Sequence, residues 1–230
     1  NIKDDSLYAA EALIRWKHSK NGMILPVDFI PLAIESGMIE DIGWWTLDRV
    51  CQHISQWKKD GSWNLEYVSI NIDARQLLKN DFATTFMSKL SEHGVDNKDI
   101  TMEITETSLI DNFTLTIDVL KELHSSGIRC AIDDFGVGYS SLSYLKKLSF
   151  NILKIDKEFI KDLTYNKKNI ILIKSIIEIG KQFNYSIVIE GIEDEKQKKI
   201  IKDIDNSLSY QGHLVSPAIS ELEFRSKYLS

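Results

Sequence analysis

Acidic and amide side chains recur where the short β-rich runs of this sequence end. They are Asn71, Glu103, the pair Asp133–Asp134 and Glu190, with Lys154 ending another run and Glu11 lying inside the first. Gathered into one concavity, the five carboxylates of Glu11, Glu103, Asp133, Asp134 and Glu190 cannot all stay ionised beside one lysine. Protons or cations must join them. The donors are oxygens throughout, and none of the five His residues has metal-ligand spacing. That donor set suits hard ions such as Mg²⁺ or Mn²⁺. An adjacent Asp pair can place one carboxylate between two ions and the other on a single ion. Two ions roughly 3.5–4 Å apart clamp the attacking and leaving oxygens of an in-line phosphoryl displacement. Taken singly, each acid has a plainer reading as a solvated loop start or helix cap, and Asp133-Asp134 before Phe135-Gly136 also reads as turn chemistry. The recurrence at one structural position in successive units favours a site.

Convergence requires a scaffold that brings strand ends together. Runs suited to strands cover Tyr8–Trp16, Tyr67–Ile72, Ile100–Thr105, Arg129–Asp133, Ile152–Ile155, Ser186–Glu190 and, weakly, Ser209–Val215. Most are continuously apolar, as parallel strands covered on both faces require. Helical periodicity lies between them. Trp45, Leu47, Val50, Cys51, Ile54 and Trp57 form one apolar face, Leu109, Leu115, Val119, Leu120 and Leu123 another, and Ile171, Ile173, Ile176, Ile177 and Ile179 a third. Asp73 is placed to cap a helix starting near Ala74. Repeated strand–helix units predict a parallel sheet with right-handed crossovers. Their number suits an eight-stranded α/β barrel of the TIM type, with an open doubly wound sheet as the alternative. In a barrel, the C-terminal strand ends share one mouth.

The rest of the composition narrows the function. The chain has 230 residues, 43% hydrophobic and 27% charged, which suits one soluble globular domain over residues 1–230. A net charge of −6 disfavours a nucleic-acid polymer as partner. No apolar run approaches a membrane span, so no membrane contact by this domain is expected. Cys51 and Cys130 sit in apolar runs without ligand spacing and read as small core residues of a reducing, cytoplasmic compartment, although a parent protein can itself be membrane-anchored. Gly136-Val137-Gly138 lacks the Lys-Ser/Thr of a phosphate-binding P-loop. The run Lys196, Lys198, Lys199 and Lys202 reads as the solvated face of a helix.

Read together, the motifs resemble the EAL domain family. They are Glu11-Ala12-Leu13-Ile14-Arg15-Trp16, Phe29-Ile30-Pro31-Leu32-Ala33, Ser69-Ile70-Asn71, Glu103-Ile104-Thr105-Glu106, Asp133-Asp134-Phe135-Gly136, Leu153-Lys154-Ile155-Asp156, Glu190-Gly191-Ile192-Glu193 and Gln211-Gly212. The resemblance implies a modified (β/α)8 barrel that opens cyclic di-GMP to linear pGpG with two Mg²⁺ or Mn²⁺ ions. It implies that Glu11, Asn71, Glu103 and Asp133 hold one ion, and Asp133, Asp134 and Glu190 the other. Lys154 then holds the attacking water, and Lys154, Glu190 and Glu11 form the catalytic group. Leu13, Arg15, Glu193 and Gln211 contact substrate or support its side of the site, and Glu106 anchors the loop after Asp134. The resemblance further implies a homodimer, formed around Ser140–Lys147 with Tyr139, Leu142, Tyr144 and Leu145, and a sensory domain upstream in a longer signalling protein. Some relatives of this kind bind without cleaving, so a cyclic di-GMP receptor or a dimerising regulatory domain is the alternative.

The sequence departs from the family pattern at several positions. Val137 replaces a Thr in the loop beside the second ion, and Ile34 replaces a Glu. Leu208 and His213 replace an Asp and a Tyr near the last strand, and Ser216-Pro217 is one residue short. The family also has a strand with a Tyr-Gln-Pro-like motif before the signature. That strand has no counterpart here, which implies a barrel lacking part of its N-terminal strand region.

Overall fold

Among the described residues, seven parallel strands in the order β1-β4-β5-β6-β7-β8-β9 carry the site, and helices cover their outer face. The computed structural model describes residues 1–111, 113–137 and 145–229. The strands of the sheet are β1 (Ala9–Ala12), β4 (Tyr67–Asn71), β5 (Ile100–Thr105), β6 (Arg129–Phe135), β7 (Ile152–Ile155), β8 (Ser186–Ile189) and β9 (Ser209–Tyr210). A two-stranded antiparallel hairpin, β2 (Trp16–His18) and β3 (Gly22–Ile24), stands apart from it. The helices are α1 (Pro26–Glu35), α2 (Ile39–Lys59), α3 (Phe82–Glu92), α4 (Glu106–Asp111), α5 (Phe113–Ser125), α6 (Glu158–Lys161), α7 (Lys167–Gln182), α8 (Glu195–Ile204) and α9 (Glu221–Tyr228). The sheet curls as part of a modified (β/α)8 barrel. Gly138 of the glycine-rich stretch, Tyr139, Leu142 and Tyr144 of the expected dimer region, and the Leu115 side chain lie outside the described residues.

Register explains why the polar ends meet. Glu11 is level with Ser69, Asn71 with Glu103, Glu103 with Ala131, and Thr105 with Asp133. The polar position therefore advances two residues from β1 to β4 and from β5 to β6, and stays level from β4 to β5. A shift of none or two keeps the side chain on the same face, and an accumulated stagger is what closing a barrel demands. The β6–β7 register shifts between Ile132 and Phe135, which carries the Asp133–Asp134 pair out of the regular ladder.

The two sheet edges, β1 and β9, do not pair with each other. Residues 1–6 lie beside β9: the Ile2 N–H donates to Leu208 O at 3.0 Å, and Asp5 accepts from Tyr210 Oη and Lys198 Nζ at 2.7 Å each. Ile2 is fully buried there. Lys198 is consequently buried beneath Asp5 and over the Tyr210 ring, so the expected solvated lysine face is corrected at this residue. Lys196, Lys199 and Lys202 are exposed.

Several expected elements are shorter or turned. The first run ends its sheet strand at Ala12, and Trp16–His18 folds back on Gly22–Ile24. The turn uses Gly22 at φ 73°, and His18 Nδ1 accepts from the Lys20 and Asn21 N–H groups at 3.1 and 3.2 Å. The last strand stops at Tyr210. A Cβ on Gly212 would lie 2.1 Å from Ile192 O, because the chain there crosses directly over the exit from β8. On α2 it is Trp44 that packs inward while Trp45 points out, and on α7 Ile171 is exposed while Ile173 and Ile177 are buried. In place of a helix from Ala74 there is a single 3-10 turn, Gln76–Leu78. Asp73 accepts from the Arg75 N–H at 3.0 Å and pairs with its guanidinium at 2.7 Å. Cys51 and Cys130 are buried free thiols, as expected, and burial pushes both up to about 12.

The turn after Asn71 is held from outside the sheet. Gln76 Oε1 accepts from the Asp73 N–H at 3.0 Å, and its side chain lies against Gly43 of α2. A Cβ at position 43 would stand 2.0 Å from Gln76 Nε2. Gly43→Ala is expected to expel the Gln76 side chain and destabilise the fold by roughly 1–3 kcal/mol. Urea denaturation measures this, and an unchanged midpoint would refute it.

Candidate metal centre

Lys154 Nζ sits among four carboxylates at the mouth of the barrel. It lies 2.6 Å from Glu103 Oε2, 2.8 Å from Glu190 Oε1, 2.9 Å from Asp133 Oδ1 and 3.5 Å from Glu11 Oε2. Inward-facing positions on β1, β5, β6 and β7, with Glu190 just beyond β8, deliver these groups. Two amides complete the ring around Glu11. Asn71 Nδ2 donates to Oε1 at 2.8 Å and Gln211 Nε2 donates to Oε2 at 2.7 Å. The Gln211 bond joins the two edges of the sheet across its gap.

The electrostatics follow from burial. Glu103 is pushed up to about 8 by burial, against the pull of Lys154 and with added repulsion from Glu11 and Asp133. Glu190 is pushed up to about 7 for the same reasons. Asp134 rises to about 6 through burial, the Asp133 charge and a hydrogen bond with Asp156. Burial also opposes ionisation of Glu11, yet Lys154, Gln211 and Asn71 hold its carboxyl below the usual range. Burial alone would lower Lys154, but Glu103, Glu11, Glu190 and Asp133 together raise it well above normal, so it keeps its proton.

The donor set fits divalent cations. One oxygen each from Asp133, Asp134 and Glu190 falls within a 4.8 Å group. Asp133 Oδ1 is buried and lies 2.9 Å from Lys154 Nζ, in an ion pair whose angles fall short of a hydrogen bond. A buried acceptor without a donor is costly, and a cation is the natural partner for it. Asp134 has a left-handed backbone, φ 53°, uncommon outside glycine and most tolerated by Asn and Asp. This turn separates its carboxylate from that of Asp133 and directs it toward Asp156. Divalent ions displace protons from their ligands. Calorimetric titration with Mn²⁺ in buffers of different ionisation enthalpy is expected to show release on the order of one proton at pH 7. At pH 9 the release should nearly vanish, because Glu103 and Glu190 are by then already ionised. Equal release at both pH values would contradict this electrostatic picture.

Other expected residues are placed as follows. Glu106, at the start of α4, accepts from the Gly136 N–H at 3.0 Å through Oε2 and so ties down the backbone after Asp134. Leu13 is exposed between β1 and the hairpin, and Arg15 is half-buried with its Nη1 on Ile14 O at 2.8 Å. Glu193 is exposed, with its N–H on Gln197 Oε1 at 2.8 Å. Among the described residues, Leu13, Arg15 and Glu193 make no hydrogen bond or ion pair with the acidic cluster, whereas Gln211 does. Val137 and His213 are exposed. One residue was assigned no role from sequence: Asp156, buried beside Asp134. Its position two residues after Lys154, on the same face of an extended chain, was the available signal.

Comparison with known proteins agrees with this geometry. The signalling protein YkoW of Bacillus subtilis is 37% identical over 201 residues, covering 87% of this chain and 25% of the relative. MucR of Pseudomonas aeruginosa, a bifunctional diguanylate cyclase/cyclic di-GMP phosphodiesterase, is 34% identical over 212 residues, covering 91% of this chain and 30% of MucR. The chain thus spans about a third or less of the length of these curated relatives. Among solved structures, the PaMucR phosphodiesterase in complex with c-di-GMP superposes with a TM-score of 0.87 at 32% identity, covering 93% of this chain and 86% of that one. The EAL enzyme Bd1971, in its cAMP- and cyclic-di-GMP-bound form, gives 0.91 at 27% identity, covering 98% and 61%. The EAL domain profile matches residues 1–218, and on that match together with the shared fold the chain belongs to the EAL domain family.

Proposed function

We propose that residues 1–230 form a single domain that hydrolyses cyclic di-GMP to linear pGpG with two divalent cations, Mg²⁺ or Mn²⁺. The carrying observation is the convergence of Glu11, Asn71, Glu103, Asp133, Asp134, Glu190 and Lys154 on one barrel mouth. Glu11, Asn71, Glu103 and Asp133 would hold one ion, and Asp133, Asp134 and Glu190 the other. Bound there, the ions would supply Lewis-acid charge and lower the pKa of water. Lys154, kept protonated, orients the attacking water. Gln211 and Asn71 fix both oxygens of Glu11. Glu106 holds the Gly136 backbone and through it the Asp134 turn. Arg15 meets the phosphate, Leu13 the base, and Glu193 lines the substrate side. Water adds to phosphorus in line, the P–O3′ bond breaks, and the leaving oxygen ends as a 3′-hydroxyl. The water proton passes to the acidic cluster, which returns a proton to the leaving O3′, and the second diester stays intact.

The same reading includes a homodimer and an upstream sensory domain in a cytoplasmic protein. The greater length of the signalling relatives supports a longer parent protein with a further domain, and among the described residues no helix is long and apolar enough to cross a membrane. Incubation with cyclic di-GMP and Mn²⁺, followed by chromatography, tests the activity. Conversion to pGpG that stops with EDTA and resumes with excess Mn²⁺ is expected. Binding without turnover would replace the hydrolase by a receptor, and neither binding nor turnover would defeat both.

A further inference from the structure

The barrel interior beneath the acidic mouth is lined by small and hydroxyl-bearing side chains. Side chains alternate across a strand. The inward positions two residues before Glu11, Asn71, Glu103 and Asp133 are therefore Ala9, Ser69, Thr101 and Ala131. Tyr67, Ala131 and Ile152, with Ala9 and Val188 against them, form an apolar cluster separate from the core under the helices. Barrels of this type fill such layers mainly with bulky branched residues. Here Ala9, Ser69 and Ala131 leave space beside Thr101.

Three hydroxyls meet in this space. Thr101 is fully buried, and its Oγ1 makes no hydrogen bond. Ser69 is level with it on β4 and 2% exposed. Tyr67, two residues earlier on the same face, is 6% exposed. Neither the Ser69 nor the Tyr67 hydroxyl has a hydrogen-bond partner among the described residues. Burial, and after it the Glu103 carboxylate, raises the Tyr67 hydroxyl, which puts it within electrostatic reach of the cluster above. Arg129, level with Thr101 on β6, is engaged instead by the Glu66 carboxylate and the Glu66 and Lys98 carbonyls. A buried hydroxyl without a partner is costly. A buried water needs two to four polar partners, and this layer offers that many.

We propose that the barrel interior binds one ordered water on the Thr101, Ser69 and Tyr67 hydroxyls, with its fourth bond to the Glu103 carboxyl. Thr101 is thereby a positioning residue: it acts through the water on Glu103 and fixes that carboxyl for the ion. The water site stands on the buried hydroxyls alone, whereas the effect on ion binding rests on the metal-centre reading above.

Thr101→Val removes the hydroxyl and keeps the shape, so the sign of its effect is diagnostic. Loss of a hydroxyl that bonds nothing leaves the fold as stable or more so, while loss of one that holds a water strands the other partners. The urea midpoint of the whole chain, without added ions, should therefore fall in Thr101→Val. A crystal structure that shows ordered solvent should place a water within hydrogen-bond distance of Thr101 Oγ1 in the wild type and none there in Thr101→Val. Calorimetric titration should show Mn²⁺ affinity weakened by about tenfold in Thr101→Val, the scale of a lost outer partner, and restored in Thr101→Ser. A wild type without the water, or a Thr101→Val protein as stable as the wild type, overturns the site. A lower midpoint with unchanged Mn²⁺ affinity, or no rescue by Thr101→Ser, overturns the positioning role. If the wild type binds Mn²⁺ but leaves cyclic di-GMP intact, the hydrolase reading fails while all of these readouts stand.

Discussion

Glu11→Ala is expected to lower cyclic di-GMP turnover by about a thousandfold or more, equivalent to about 4 kcal/mol of transition-state stabilisation. The size follows from how many groups depend on one carboxylate. Glu11 accepts from Asn71 and Gln211 on its two oxygens and lies 3.5 Å from Lys154. Removing it deletes a proposed ion ligand, frees two amides and weakens the bridge between the sheet edges. Loss of an outer partner alone typically costs 10–100-fold in metal affinity or activity, so loss of a ligand together with its partners should exceed that. Excess Mn²⁺ should not restore the rate. The measurement is the initial rate of pGpG formation at saturating Mn²⁺, and an undiminished rate would remove Glu11 from the mechanism.

Lys154→Met should have the largest effect on the ion-free protein. Four buried or half-buried carboxylates share this lysine. Breaking a buried charge pair from one side costs roughly 3–5 kcal/mol, because the remaining charge is uncompensated. The sign of the pH dependence is set by Glu103 and Glu190, whose folded-state pKa values are already raised to about 8 and about 7. A group raised in the folded state contributes stability that is present below its unfolded value and lost as pH rises through the folded one. Without Lys154 both rise further. The deficit should therefore be small near pH 6, where both carboxyls stay protonated with or without the lysine, and open as pH rises past 7 and 8 toward 9. Urea unfolding at pH 6 and pH 9 checks this, and added Mn²⁺ should narrow the gap at pH 9. A deficit independent of pH would mean that the lysine stabilises by packing alone.

Much of this arrangement was legible in the sequence. Apolar runs ending in Asn71, Glu103, Asp133 and Glu190 report buried parallel strands, because only strands covered on both faces need such continuity. Helix faces were legible to within one residue: Trp44 and Trp45 are equally apolar, and packing alone chose Trp44. The hairpin at Trp16–Ile24 escaped notice because its strands are too short for alternation to show. The shortness of β9 depends on the crossing of Gly212 over Ile192, a contact between distant segments. Lys198 was read as solvated since composition cannot reveal that residues 1–6 would fold over it. Likewise, Asp156 acquires its meaning only from the left-handed turn at Asp134.

The bond from Gln211 to Glu11 has a consequence for biosynthesis. It joins a residue from the first strand of the sheet with one just past the last. The acidic mouth cannot be completed until nearly the whole barrel has emerged, and the earlier strands must wait with a ring of carboxylates unfinished. Contacts so far apart in sequence are slow to form. A chain broken off before Gln211 would therefore carry most of the sheet yet lack the completed centre, so the proposed turnover would report synthesis of the barrel through its last strand rather than mere folding of the parts.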